Sequence, residues 1–261
     1  MLRPRITPCL LIQNGGLVKT VQFRSPKYIG DPINAVKIFN EKESDELIVL
    51  DIDATTLNRP PDMTLIARLA MECRMPLCYG GGVKTVEQAR TIIALGVEKV
   101  ALSSAVLESP DLITSIAREV GSQSVVVVVD AKPARTGGLV EAWTHNGTRR
   151  TGRLAIDVAR DAESYGAGEV VVNSIERDGM MKGYDIQLAK DIRSATTLPI
   201  TVLGGAGSLA DMTSVIRRCG IVGAAAGSLF VFKGPLKAVL INYPSRAQKD
   251  ELIDHALAKS A

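Results

Sequence analysis

Residues 78–105, CYGGGVKTVEQARTIIALGVEKVALSSA, and residues 201–229, TVLGGAGSLADMTSVIRRCGIVGAAAGSL, are two versions of one pattern. A shift of 124 positions carries Gly80-Gly81 onto Gly204-Gly205, Gly96 onto Gly220, and Ser104 onto Ser228. Each segment runs from an apolar strand through a glycine turn into a helix, then through a second glycine into a strand that ends on serine. A chain built from two similar halves closes naturally into a ring, and it duplicates any ligand site that the half possesses.

Working outward, short apolar runs recur along the whole chain. They are ITPCLLI from Ile6, LIVLDI from Leu47, PLCY from Pro76, KVAL from Lys99, SVVVVVD from Ser124, EVVVN from Glu169, PITVL from Pro199 and IVGAAA from Ile221. Strands apolar on both faces suit a parallel sheet covered by helices, because neither face meets water. Helix starts are expected at Asp31-Pro32 and Ser109-Pro110, and capping boxes at Thr85 with Gln88 and Ser208 with Asp211. Gly96, Gly121, Gly166 and Gly220 sit where helix C-caps belong. Eight such units in 261 residues predict one α/β domain, a (β/α)8 TIM barrel built from two half-barrels. A doubly wound open sheet is the alternative, and the internal repeat weighs against it.

Composition excludes several classes of function. The chain has Lys+Arg 31 against Asp+Glu 28, a formal charge of +3, too small and too evenly spread for a nucleic-acid partner. Its four cysteines, Cys9, Cys73, Cys78 and Cys219, have no C-x-x-C spacing, and His145 and His255 lie far apart. Neither a disulfide framework nor a metal site is indicated, and no cofactor is expected. The opening MLRPRITPCLLIQ is too short in its apolar part, and too broken by Pro8, for a signal peptide or membrane anchor. The cytoplasm is the expected compartment.

The duplicated glycines predict phosphate grips. Gly81 and Gly82 precede one helix and Gly204 and Gly205 another, where a backbone free of side chains lets N–H groups approach an anion. Ser103 and Ser104, and Gly227 with Ser228, end the strands that follow. Turn geometry alone also explains a single Gly-Gly pair. Two matching copies point instead to an elongated ligand with a phosphate at each end.

With these residues in hand the chain resembles a known family. RITPCL (5–10), GGLVKTVQFR (15–24), IGDP (29–32), LDIDAT (50–55), YGGGVKT (79–85), GAGEVVVNSIERDG (166–179), KGYD (182–185) and GGAGS (204–208) are similar to the HisF-type cyclase subunit of imidazole glycerol phosphate synthase. The resemblance implies a HisH-type glutaminase docked under the barrel as a heterodimer. It also implies ammonia crossing the interior, and a bis-phosphate reacting at the top between two aspartates. Arg5, Glu46, Lys99 and Glu169 stand at strand starts, ordinarily a solvated rim, but they coincide with that family's charged ammonia gate. Glu98 falls at its acidic docking position. Asp130 matches the aspartate ending strand 5, and Lys19, Asp51 and Asp178 match polar residues of the site, with Lys19 on a mobile loop. Without the resemblance, Asp51 and Asp178 read equally well as loop caps.

Leu11 breaks the pattern. It stands where the family has the strand-1 aspartate, and a leucine transfers no proton. Losing one positioned acid or base costs about 100- to 10,000-fold in rate, roughly 3 to 5 kcal/mol of barrier. PCLL (8–11), SLFVFKG (228–234) and INYPS (241–245) resemble a HisF-like branch serving acetamidino modification of bacterial surface sugars, as in lipopolysaccharide synthesis. There the nitrogen would pass to an ATP-dependent sugar amidotransferase. The readings are thus an ammonia-using synthase subunit of that branch, the histidine-pathway cyclase subunit, or a conduit and scaffold that activates the glutaminase without chemistry of its own. A sugar-phosphate isomerase is a weaker fourth, since it needs no charged floor. Residues 131–152, around Asn146-Gly147, predict a small hairpin over the barrel mouth, with Trp143 either stacking on a ligand or anchoring the flap. Residues 245–261 read as a solvated helical tail.

Overall fold

The computed structural model describes residues 3–134 and 138–258. Eight strands coincide with the eight apolar runs: β1 Arg5–Gln13, β2 Leu47–Asp51, β3 Leu77–Gly80, β4 Lys99–Leu102, β5 Val125–Pro133, β6 Glu169–Ser174, β7 Ile200–Leu203 and β8 Gly223–Ala226. Each pairs in parallel with its sequence neighbours. The ring closes where Ile6 of β1 pairs with Ala224 of β8, and Val127 of β5 joins Val170 of β6 midway round. The fold is a (β/α)8 TIM barrel, and the open sheet is excluded because the ladder has no edge.

Alternation along the strands separates two apolar sets. Ile6, Leu10, Val49, Tyr79, Val127, Val170 and Val202 face outward against the helices. Cys9, Leu11, Ile48, Cys78, Ala101, Val126, Val128, Val171, Leu203 and Ala225 form a second cluster inside the ring. Both sets are apolar for the reason a parallel sheet demands, and the period of two decides which residue looks into the barrel.

Asp31 accepts the Asn34 N–H at 2.9 Å with Pro32 in the first turn, and both capping boxes form reciprocally. Gly96, Gly121, Gly166 and Gly220 all take positive φ at helix ends. Ser109 is a correction. It terminates the short helix Ser104–Glu108, its N–H donating to the Ala105 carbonyl, and the helix Asp111–Val120 starts after Pro110 with no side-chain cap. Two helices stand end to end here, so the serine serves the first.

Two antiparallel ribbons leave the barrel top. One comprises strands Gly16–Val21 and Arg24–Gly30, the first pairing with the end of β1. The other, Val140–Thr144 with Arg149–Leu154, extends β5 and turns through His145, Asn146 and Gly147, all at positive φ. Residues 135–137 of the expected hairpin lie outside the described residues.

The C-terminal segment is not a solvated tail. Its helix Arg246–Leu257 buries Lys249, Leu252, Ile253 and Ala256 on one face. The Tyr243 hydroxyl before it donates to the Ile6 carbonyl at 2.6 Å, and Lys249 Nζ meets Asp45 at 2.5 Å. Three apolar residues spaced to share one face suffice to dock a helix whose other face is charged. Residues 259–261 of that expectation lie outside the described residues. Leu252→Ala is expected to cost about 2–4 kcal/mol in urea unfolding; a change below about 0.5 kcal/mol, the size of a surface effect, would contradict this packing.

Candidate active site

The floor of the barrel carries a closed cycle of ion pairs. Arg5, Glu46, Lys99 and Glu169 are the inward residues at the starts of four strands, or just before one. Arg5 reaches Glu46 and Glu169 at 2.6 Å each, while Lys99 Nζ reaches Glu46 at 2.6 Å and Glu169 at 2.8 Å. Thr201 donates to Glu169 at 2.6 Å. Burial opposes charge on Arg5 and Lys99, but the two carboxylates outweigh it and hold both cations above their ordinary values. Burial likewise opposes charge on Glu169, yet Arg5 and Lys99 hold it low; on Glu46 burial prevails over Arg5 and raises it. Removing one member would strand a buried charge, which typically costs 3–5 kcal/mol. Glu98 lies exposed beside Lys99, its N–H tied to the Leu77 carbonyl.

Above the ring the interior is filled by small and apolar side chains, Cys9, Cys78, Ala101, Val126, Val171 and Ala225. Thr7 is fully buried among them and its hydroxyl has no partner.

At the top a cavity opens whose lining includes Leu11, Leu50, Lys19, Asp51, Asp130 and Asp178. Leu11 is 8% exposed and belongs to the interior cluster, so position 11 faces inward. Asp130 is pushed up to about 7 by burial, against the Asn173 amide that donates to it at 3.1 Å; the charge of Asp178 adds to the rise. The other two carboxylates are committed elsewhere. Asp51 caps the short helix Ile52–Thr56, accepting from the N–H groups of Asp53 and Ala54 at 2.9 and 3.1 Å. Asp178 accepts from Lys19 at 3.4 Å and from the Thr20 hydroxyl at 2.8 Å. Of the three aspartates in the lining, Asp130 alone has neither a backbone donor nor a cation as partner.

Lys19 sits on the strand Gly16–Val21, at a shift in its pairing register, and is 6% exposed, not on an open loop. Its ammonium occupies the space that a Cβ at Gly227 would need, 2.6 Å away, so glycine at 227 admits the lysine. The two expected phosphate grips are placed differently. Gly81, Gly82, Ser103 and Ser104 line the cavity, and the Ser103 hydroxyl is buried without a partner. Gly81 takes φ +123° with the Asp51 carbonyl only 2.5 Å from where its Cβ would lie, so packing alone requires glycine there. Gly204, Gly205 and Ser228 are buried and do not line this cavity, and Gly205 is tied to Gly183 by a 2.8 Å hydrogen bond.

Sequence reasoning singled out Trp143 in the hairpin, but it is not in the lining; Lys132 lies over its ring at 5.1 Å. Its neighbours His145 and Asn146 do line the cavity, as do Thr20, Phe23 and Asn173. The sequence signal for the first two was their place at the hairpin tip. Among the described residues no cluster of three or more His, Cys, Asp or Glu could hold a metal ion, and no helix is long and apolar enough to cross a membrane.

A family model described as histidine biosynthesis protein matches residues 5–236. A Leptospira interrogans protein named "Putative imidazole glycerol phosphate synthase subunit HisF" is 56% identical over 252 residues, covering 97% of this chain and 99% of its own length. The chain belongs to the HisF-type family. A similarly named subunit, hisF2 of Pseudomonas aeruginosa, is 52% identical over 94% of this chain and 97% of its own length. The imidazole glycerol phosphate synthase subunit HisF of Lactococcus lactis subsp. cremoris (strain SK11) is 38% identical over 97% and 100%. This HisF-type chain is thus a synthase-subunit barrel aligned with its relatives over nearly their whole length.

Asp130, moved from 3.8 to about 7, keeps in the folded protein a proton that the unfolded carboxylate releases. Stability is therefore expected to fall as pH rises from about 4 toward 7, and to level off above. Asp130→Asn is expected to flatten that slope in urea unfolding at several pH values. An unchanged slope would show that the carboxylate titrates in its ordinary range.

Proposed function

We propose that this chain is the ammonia-using barrel subunit of a glutamine-dependent synthase. Nitrogen released by a HisH-type glutaminase docked near Glu98 enters through the ring of Arg5, Glu46, Lys99 and Glu169, crosses the interior, and attacks a phosphate-bearing substrate at the mouth. The observation that carries this reading is the coaxial arrangement: a neutralised charged floor, a narrow apolar interior and a carboxyl poised near neutrality at the other end. An interior with no counterion favours NH3 over ammonium, because an unpaired buried cation costs several kcal/mol. Asp130, titrating close to pH 7, is suited both to take a proton from the attacking nitrogen and to return one to a leaving group. The amides around Gly81 and Gly82, with Ser103 and Ser104, would hold one phosphate, and Lys19 with Asp178 would order the far side of the ligand. The remaining grip, at Gly204, Gly205, Gly227 and Ser228, would receive a second phosphate once the ribbon carrying Lys19 moves.

Two chemistries compete at that mouth. The names of the relatives favour the cyclase reaction of histidine biosynthesis. Leu11 favours the second reading, in which ammonia serves acetamidino modification of a nucleotide sugar through an ATP-dependent amidotransferase, because it removes one of two proton carriers. Purified protein given ammonium salt and the phosphoribulosyl-formimino substrate decides between them. The second reading expects turnover at least about 100-fold below an ordinary synthase, with a gain in Leu11→Asp; ordinary turnover would establish the first.

The floor has its own test. With the glutaminase bound, Lys99→Met is expected to lower glutamine-dependent product formation more than ammonium-dependent formation. Equal losses would contradict a role for the ring in passing nitrogen.

A further inference from the structure

His145 is one of two histidines in the chain, and it has no part in the reading above. It stands at the tip of the hairpin with φ 51°, and two contacts fix the tip across the mouth. The Asn146 amide donates to the Ile52 carbonyl at 2.8 Å, and the His145 N–H donates to the Ser104 hydroxyl oxygen at 3.4 Å. The tip therefore lies over the first phosphate grip, and His145 shares the cavity with Gly82, Ser103, Ser104 and Lys84. Because Ser104 accepts from His145, its own O–H is free to donate, and the buried Ser103 hydroxyl already lacks a partner.

We propose that His145 completes this grip as a proton-linked anion seat, binding a dianionic phosphate ester more tightly when its imidazole is charged. The inference rests on the phosphate-binding reading of Gly81, Gly82, Ser103 and Ser104 and assigns that site an additional residue and a pH dependence. The groups facing the imidazole are Arg149 on its own ribbon, Lys84 after β3 and Glu108 on the helix after β4, with Asp51 and Asp130 deeper in the cavity. Burial, then Arg149 and Lys84, depress the ring's affinity for a proton, and Glu108 opposes them. The empty ring is accordingly neutral near pH 7. An anion settling between His145, Lys84 and the serines reverses the balance, since an opposite charge within hydrogen-bond reach favours imidazolium. Ligand and proton then bind together.

Sulfate is the appropriate probe, because its charge does not change between pH 5.5 and 8. Imidazole nitrogen NMR of the whole chain follows both histidines at once, with His255 on the exposed side of the C-terminal helix as the internal control. Sulfate is expected to raise the His145 pKa by about one unit, equivalent to sulfate binding weaker at pH 8 than at pH 5.5 by a factor that approaches about tenfold. His255 should not move. In an Asp130→Asn background, which removes the other group that titrates in this range, the further change His145→Gln should leave sulfate binding equal at both pH values, at the weaker level seen at pH 8. If the Gly82 and Ser104 amides shift on sulfate addition while the His145 ring does not, the inference fails and the grip stands. If none of them responds, the grip itself is misread and the inference falls with it.

Discussion

The geometry depends on the closed parallel ladder, because closure fixes which side of every strand looks inward. Once Ile6 pairs with Ala224 and the ring has no edge, the period of two sends Arg5, Thr7, Cys9 and Leu11 of a single strand into the interior in that order. The floor ring, the lower passage and the mouth are three heights on the same column. A register slip of one residue would turn all four outward and replace them by Ile6, Pro8, Leu10 and Ile12, so the helix packing that holds register also holds the site.

The two ends of the column are electrostatically unlike. At the floor two cations and two anions satisfy one another within 2.6 to 2.8 Å, an arrangement in which opposite charges are matched in number. At the mouth the carboxyl of Asp130 has a single amide donor, in a cavity that Leu11 and Leu50 also line. An aspartate at position 11 would add a like charge and make two coupled titrations of one. With leucine there, Asp130 titrates with no carboxylate at position 11, and its affinity for a proton is set mainly by desolvation. On the proposed reading, binding apparatus and proton chemistry separate: the residues of the grips and floor match the family resemblance, and Leu11 does not.

Much of this was legible in the sequence, for physical reasons. The strands were legible because both faces are covered, so each appears as an unbroken apolar run such as SVVVVVD. The glycine repeat marked both glycine turns, but not that one opens to the cavity while in the other Gly227 lies against Lys19; that depends on how the ribbon Gly16–Val21 folds back. The charged floor was visible only as four separate strand starts, since pairing belongs to the closed ring. The C-terminal helix was misread because Leu252, Ile253 and Ala256 are few among many charges, and Ser109 because two helices meet there. His145 was legible only as a residue of the hairpin tip; its place over the mouth depends on the contact from Asn146 to Ile52, a long-range hydrogen bond with no local signature.

The central claim is a continuous path for nitrogen from floor to mouth. It is tested most directly by supplying the complex of this chain and its glutaminase with amide-15N glutamine in a large excess of unlabelled ammonium, and measuring the isotope in the nitrogenous product. The account expects the product to carry the glutamine label with little dilution, and Glu46→Gln to dilute it. Label at the level of the surrounding ammonium in the unaltered complex would contradict it.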